Sequence, residues 1–117
     1  MQDPNEALES TQDRRDVIGK LNDFCPDFVS MISDFCLGTV YDRPALPEQT
    51  KEIVAIVSLI SLGSDRLRGH IESALKQGST QEELSEVIML SSIYLGFPLA
   101  IDAMLVLQDT AHALNQS

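Results

Sequence analysis

His70 and Glu52 are the residues whose type and position most invite chemistry. His70 stands in "DRLRGHIESALK", three residues after Leu67, and Ile71, Ala74 and Leu75 share its apolar face at helical spacing. An imidazole there either fills a core, bonded to a backbone carbonyl or to a carboxylate, or holds a proton for a reaction. Glu52 lies on the line Glu52, Ile56, Leu59, Ile60 and Gly63, spaced for one side of a helix. A carboxylate on that side is costly unless a cation or donor sits opposite it. Its plainer role is that of a first-turn acid favoured by the helix dipole. Together the two would form an acid–base pair able to move a proton away from bulk water. Glu52 lies at the far end of its helix and His70 one turn into the next. A meeting within one chain and a meeting across an interface are both open.

The elements that must position this pair all read as helix and turn. Residues 6–21 are weakly amphipathic through Leu8, Val17, Ile18 and Leu21, with Gly19 inside the pattern. A second segment opens at Pro26, a residue suited to a first helical turn. Phe28, Met31, Ile32, Phe35, Cys36 and Val40 then follow helical spacing, which predicts a buried Cys36 thiol. "YDRPALPEQT" is a connector whose two prolines forbid a continuous helix. Residues 47–62 are apolar on every side in "IVAIVSLISL", the mark of a central helix. Residues 65–77 end at Gly78, a residue suited to a helix C-terminus. In "STQEEL", Ser79 with Glu82 and Thr80 with Glu83 are both spaced as capping boxes. That helix runs to Leu95 and breaks at "GFP", and a last apolar helix covers residues 98–114. The fold class is all-α, with about six helices.

The chain has 117 residues, which suits one domain over residues 1–117, with residues 1–25 as a weakly ordered N-terminal helical part. Its net charge of −10 argues against a nucleic-acid backbone or an anionic membrane as partner. The start of the sequence is polar and acidic, unlike a signal peptide, and the longest apolar run is too short to span a bilayer. A cytoplasmic location is expected. Cys25 and Cys36 are too few for a disulfide scaffold and lack metal-site spacing, so no metal is expected. The helices over residues 47–62, 80–95 and 98–114 carry more apolar surface than one small unit can hide, which predicts a homo-oligomer.

Several ordered elements together resemble the carboxymuconolactone decarboxylase family, within the alkylhydroperoxidase-D-like superfamily. They are Arg43-Pro44 with Leu46, Lys51-Glu52, Leu62-Gly63, His70, the Gly78–Glu83 run with Glu86, and Tyr94, Gly96 and Pro98. The resemblance covers residues 40–105, the family core. It implies an alkylhydroperoxidase-D-like helical bundle, assembled as a trimer or hexamer, with sites near subunit interfaces. It also implies either of two chemistries. One is cofactor-free loss of carbon dioxide from a carboxylated lactone or related small anion, in aromatic compound catabolism. There His70 would deliver a proton, Glu52 would tune it, Arg43 would anchor the anion, and Arg66, Arg68 and Tyr94 would assist. The other is peroxide or disulfide reduction through two cysteines seven and four residues before the histidine. Counted back from His70, those places hold Gly63 and Arg66. Counted forward from Glu52 with one deletion, they hold Ser64 and Leu67. Neither register offers sulfur, so the redox reading is disfavoured. The third reading is an oligomeric binding protein that keeps the fold without the chemistry.

Overall fold

The structure, a computed structural model, describes residues 12–115, with side chains from residue 17 onward. The expectations for residues 1–11 and 116–117 lie outside the described residues. Among the described residues there are six α-helices, one π-wound segment and no strand. They are α1 (Gln12–Phe24), α2 (Pro26–Met31), the π segment (Ile32–Tyr41), α3 (Glu48–Leu62), α4 (Leu67–Lys76), α5 (Gln81–Leu95) and α6 (Phe97–Asn115). Among the described residues, no helix is long and apolar enough to cross a membrane. The described residues fall into two compact units, divided between Lys51 and Glu52.

In the N-terminal unit, Cys25 leaves helical geometry at φ −148° and separates α1 from α2, and Pro26 opens α2. The winding then widens into the π segment, where the Thr39 hydroxyl donates to the Asp34 carbonyl five residues back. This corrects the expectation of a buried thiol: Cys36 is exposed and Cys25 half-buried, and neither is in a disulfide. The physical reason is the winding. Residues placed on one stripe by an α-helical period drift apart when each turn takes in an extra residue. No side chain from Pro26 to Tyr41 is buried.

The C-terminal unit holds the core. Ile56 and Ile60 of α3, Leu67, Ile71 and Ala74 of α4, Leu84 and Ile88 of α5, and Ala100, Ala103 and Leu107 of α6 form one cluster. The alanines let α6 lie close to its neighbours, and both α4 and α5 pack on it. The turn that closes α3 is a Schellman motif: the Gly63 amide donates to Ile60 O at 3.0 Å and the Ser64 amide to Leu59 O at 3.0 Å. Gly63 sits at φ +61°, a left-handed position that a side chain would strain. Gly78 closes α4 by the same pair of bonds, from its own amide to Leu75 O and from Ser79 to Ala74 O.

Of the two spacings suited to a capping box, Thr80 with Glu83 forms it. Thr80 Oγ1 accepts from the Glu83 amide at 3.0 Å, and Glu83 Oε1 accepts from the Thr80 amide at 2.9 Å. Thr80→Ala is expected to lower stability by about 1 kcal/mol, the usual worth of an N-cap side chain. Urea unfolding checks this: the midpoint should fall while the slope stays unchanged.

Candidate active site

Glu52 and His70 meet within one chain. Their side chains are only 16% and 18% exposed, and His70 Nδ1 lies 2.6 Å from Glu52 Oε1. An ionised carboxylate can only accept, so the bond runs from Nδ1–H to Oε1. That bond sets the ring's orientation and makes Nε2 its second proton position. The sequence left this meeting open because Glu52 lies in the half of its helix far from the α3–α4 turn. The Gly63–Arg66 turn sends α4 back so that His70 reaches Glu52. Ile56 and Ile60 repeat every four residues from Glu52 and are buried, as is Ile71 beside His70. The polar pair therefore closes one end of an apolar seam. Its low exposure makes the hydrogen bond worth more than the same bond in water, and makes loss of either partner costly.

The other residues singled out by sequence lie on exposed turns and helix ends. Arg66 is exposed at the N-cap of α4, where its amide donates to Ser64 Oγ at 3.1 Å. Tyr94 is 80% exposed in the last turn of α5. Arg43 belongs to the N-terminal unit, where it is exposed and its amide donates to Val40 O at 3.2 Å. It makes no ion pair with Asp42 among the described residues. Glu83 is engaged in the capping box and Glu86 is exposed.

Two features escaped the sequence reading. Arg68 is tied to Asp109 of α6 by an ion pair 41 positions apart, a distance in sequence that no local pattern signals. Beside it, a cleft of about 280 Å³ opens between the α3–α4 turn and α6, lined by Leu59, Ser64, Asp65, Arg68, Leu99 and Asp102 among others. Among the described residues, no three His, Cys, Asp or Glu side chains are grouped as metal ligands. The arrangement at Glu52 and His70 is that of an oriented imidazole, suited to holding and transferring one proton.

The family model described as "Carboxymuconolactone decarboxylase family" matches residues 26–109. The chain is 37% identical over 114 residues to a 4-carboxymuconolactone decarboxylase of Acinetobacter baylyi, covering 89% of this chain and 85% of that relative. It is also 30% identical over 81 residues to a nitrosuccinic acid decarboxylase of Metarhizium robertsii, covering 68% of this chain and 57% of that relative.

Proposed function

We propose, because this chain belongs to the carboxymuconolactone decarboxylase family, that it removes carbon dioxide from a small carboxylated lactone or a related anionic metabolite. The observation that carries the reading is the 2.6 Å Glu52–His70 contact at low exposure. Decarboxylation breaks the bond between carbon and the carboxylate, and the electron pair of that bond must go somewhere. An unsaturated lactone carbonyl accepts it, as a nitro group would, and the carbanion equivalent so formed is quenched by one proton. His70 supplies that proton, or stabilises the oxyanion before it, and Glu52 holds the ring for the transfer. No cofactor enters this scheme. The protein's remaining task is to bind an anion and exclude water, so that stabilisation is concentrated in the transition state.

Arg43 is assigned the anion anchor from its place in the Arg43-Pro44-x-Leu46 connector, and it would hold a carboxylate other than the departing one. Arg66 and Tyr94 are placed as substrate contacts on the same motif grounds. Arg68 is the weaker candidate, since its guanidinium is already engaged by Asp109. The exposed apolar side chains of α5 and α6, Tyr94 among them, support a homo-oligomer in which a second copy covers that face.

The purified protein should consume 4-carboxymuconolactone, followed by loss of its ultraviolet absorbance. Absence of turnover would remove that substrate from consideration. Arg43→Ala is expected to raise KM about tenfold or more with a smaller change in kcat, because an anchor contributes to ground and transition state alike. A drop confined to kcat would contradict the anchoring role.

A further inference from the structure

Lys51 immediately precedes Glu52, and its side chain turns back to the connector. Its Nζ donates to the carbonyl oxygen of Tyr41, the last residue of the π segment, and lies 3.3 Å from Glu48 Oε1 in the first turn of α3. Although Glu48 is 79% exposed, the Lys51 side chain is only 13% exposed, so the ammonium has given up much of its water for these two oxygens. The carbonyls at a helical C-terminus lack intrahelical donors and carry the negative end of the dipole. A cation there satisfies both needs at once. Between the two points that Lys51 ties lie residues 42–47, with Pro44 and Pro47 fixing two backbone angles. Arg43 is the cation on that stretch.

We infer that Lys51 is a positioning residue: it braces the connector at both ends and thereby presents Arg43 to the substrate. The substrate arm of this inference rests on the decarboxylase reading above, whereas the brace rests only on the contacts of Lys51. A restrained connector places the Arg43 guanidinium without the entropy that a free loop would lose on binding. Lys51 itself touches no reacting atom. Its removal should therefore weaken substrate binding and spare the chemical step.

Lys51→Met keeps the length of the side chain and removes the ammonium, and Lys51→Arg restores a cationic donor. Hydrogen exchange of the amides of residues 40–43 is measured on both, at labelling times of a second or less. KM and kcat for 4-carboxymuconolactone are measured alongside. In Lys51→Met, exchange should accelerate several-fold and KM should rise about fivefold, with kcat within twofold of the parent and both effects largely reversed in Lys51→Arg. Adding Arg43→Ala to Lys51→Met should raise KM no further than Arg43→Ala alone. Unchanged exchange would overturn the brace. Faster exchange with an unchanged KM, in a background where Arg43→Ala does raise KM, would overturn the positioning role. If the parent does not turn over this lactone, the decarboxylase reading fails on that substrate and exchange alone decides the brace.

Discussion

Replacing His70 with alanine is expected to slow decarboxylation of 4-carboxymuconolactone by about 10²- to 10⁴-fold, the usual worth of a positioned general acid. The loss should fall on kcat, since the proton is needed after the bond to carbon dioxide begins to break and not when the substrate binds. Folding should survive the change. Removing the imidazole leaves the Glu52 carboxylate, only 16% exposed, without its hydrogen-bond partner, a cost of about 1–3 kcal/mol. That is less than the roughly 5–15 kcal/mol by which domains of this size are stable. Circular dichroism of the variant should therefore match the parent. Glu52→Gln separates orientation from charge, because an amide oxygen can still accept from Nδ1–H while the carboxylate charge is gone. It should lose less activity than His70→Ala. Equal turnover by His70→Ala and parent would remove His70 from the chemistry and leave it as a core residue closing the α3–α4 seam.

How much of this was legible depends on whether the deciding interaction was local. Pro26, Gly63, Gly78 and the Thr80–Glu83 spacing mark ends of α2 to α5 because each acts on its own turn, through a missing amide, a left-handed backbone or a cap within three residues. The π winding of Ile32–Tyr41 was not legible. Over ten residues its apolar pattern fits an α-helical period, and nothing local announces the extra residue in each turn. The exposed Cys36 follows from that miss. At the site, Glu52 and His70 could be picked out because an ionisable group on an apolar face is conspicuous in sequence. Their contact could not, since it depends on how α4 enters after Gly63. The Lys51 bond to Tyr41 was hidden for another reason. A backbone carbonyl presents the same acceptor whatever residue bears it, so no residue type marks the partner.

Ile101→Asp is expected to break the proposed homo-oligomer and, with it, turnover. Ile93 and Tyr94 follow Leu90 by three and four residues in α5, Phe97, Ile101 and Leu105 recur every four residues in α6, and each is between 54% and 80% exposed in the single chain. From residue 89 to residue 105 the only charged side chain is Asp102. Two copies of a chain with net charge −10 repel one another in general, so a surface on which they can meet must be nearly free of charge, as this stripe is. Burying one such side chain contributes about 1.5–3 kcal/mol. The substitution forfeits that and places a carboxylate where it has no partner, a further cost of several kcal/mol. Because each copy carries the change, a symmetric contact suffers it twice. The dissociation constant should rise by more than about 100-fold, equivalent to roughly 2.7 kcal/mol. Size-exclusion chromatography with light scattering at micromolar protein should show the parent as an oligomer and Ile101→Asp as a monomer of unchanged helicity. Gln77→Glu adds the same charge to an exposed position at the end of α4, off these two helices, and should leave the assembly intact. A monomeric parent would contradict the expected second copy. An Ile101→Asp monomer with full kcat and KM would show instead that Glu52, His70 and whatever binds the substrate are complete within one chain, and that Tyr94 has no part in a site shared between copies.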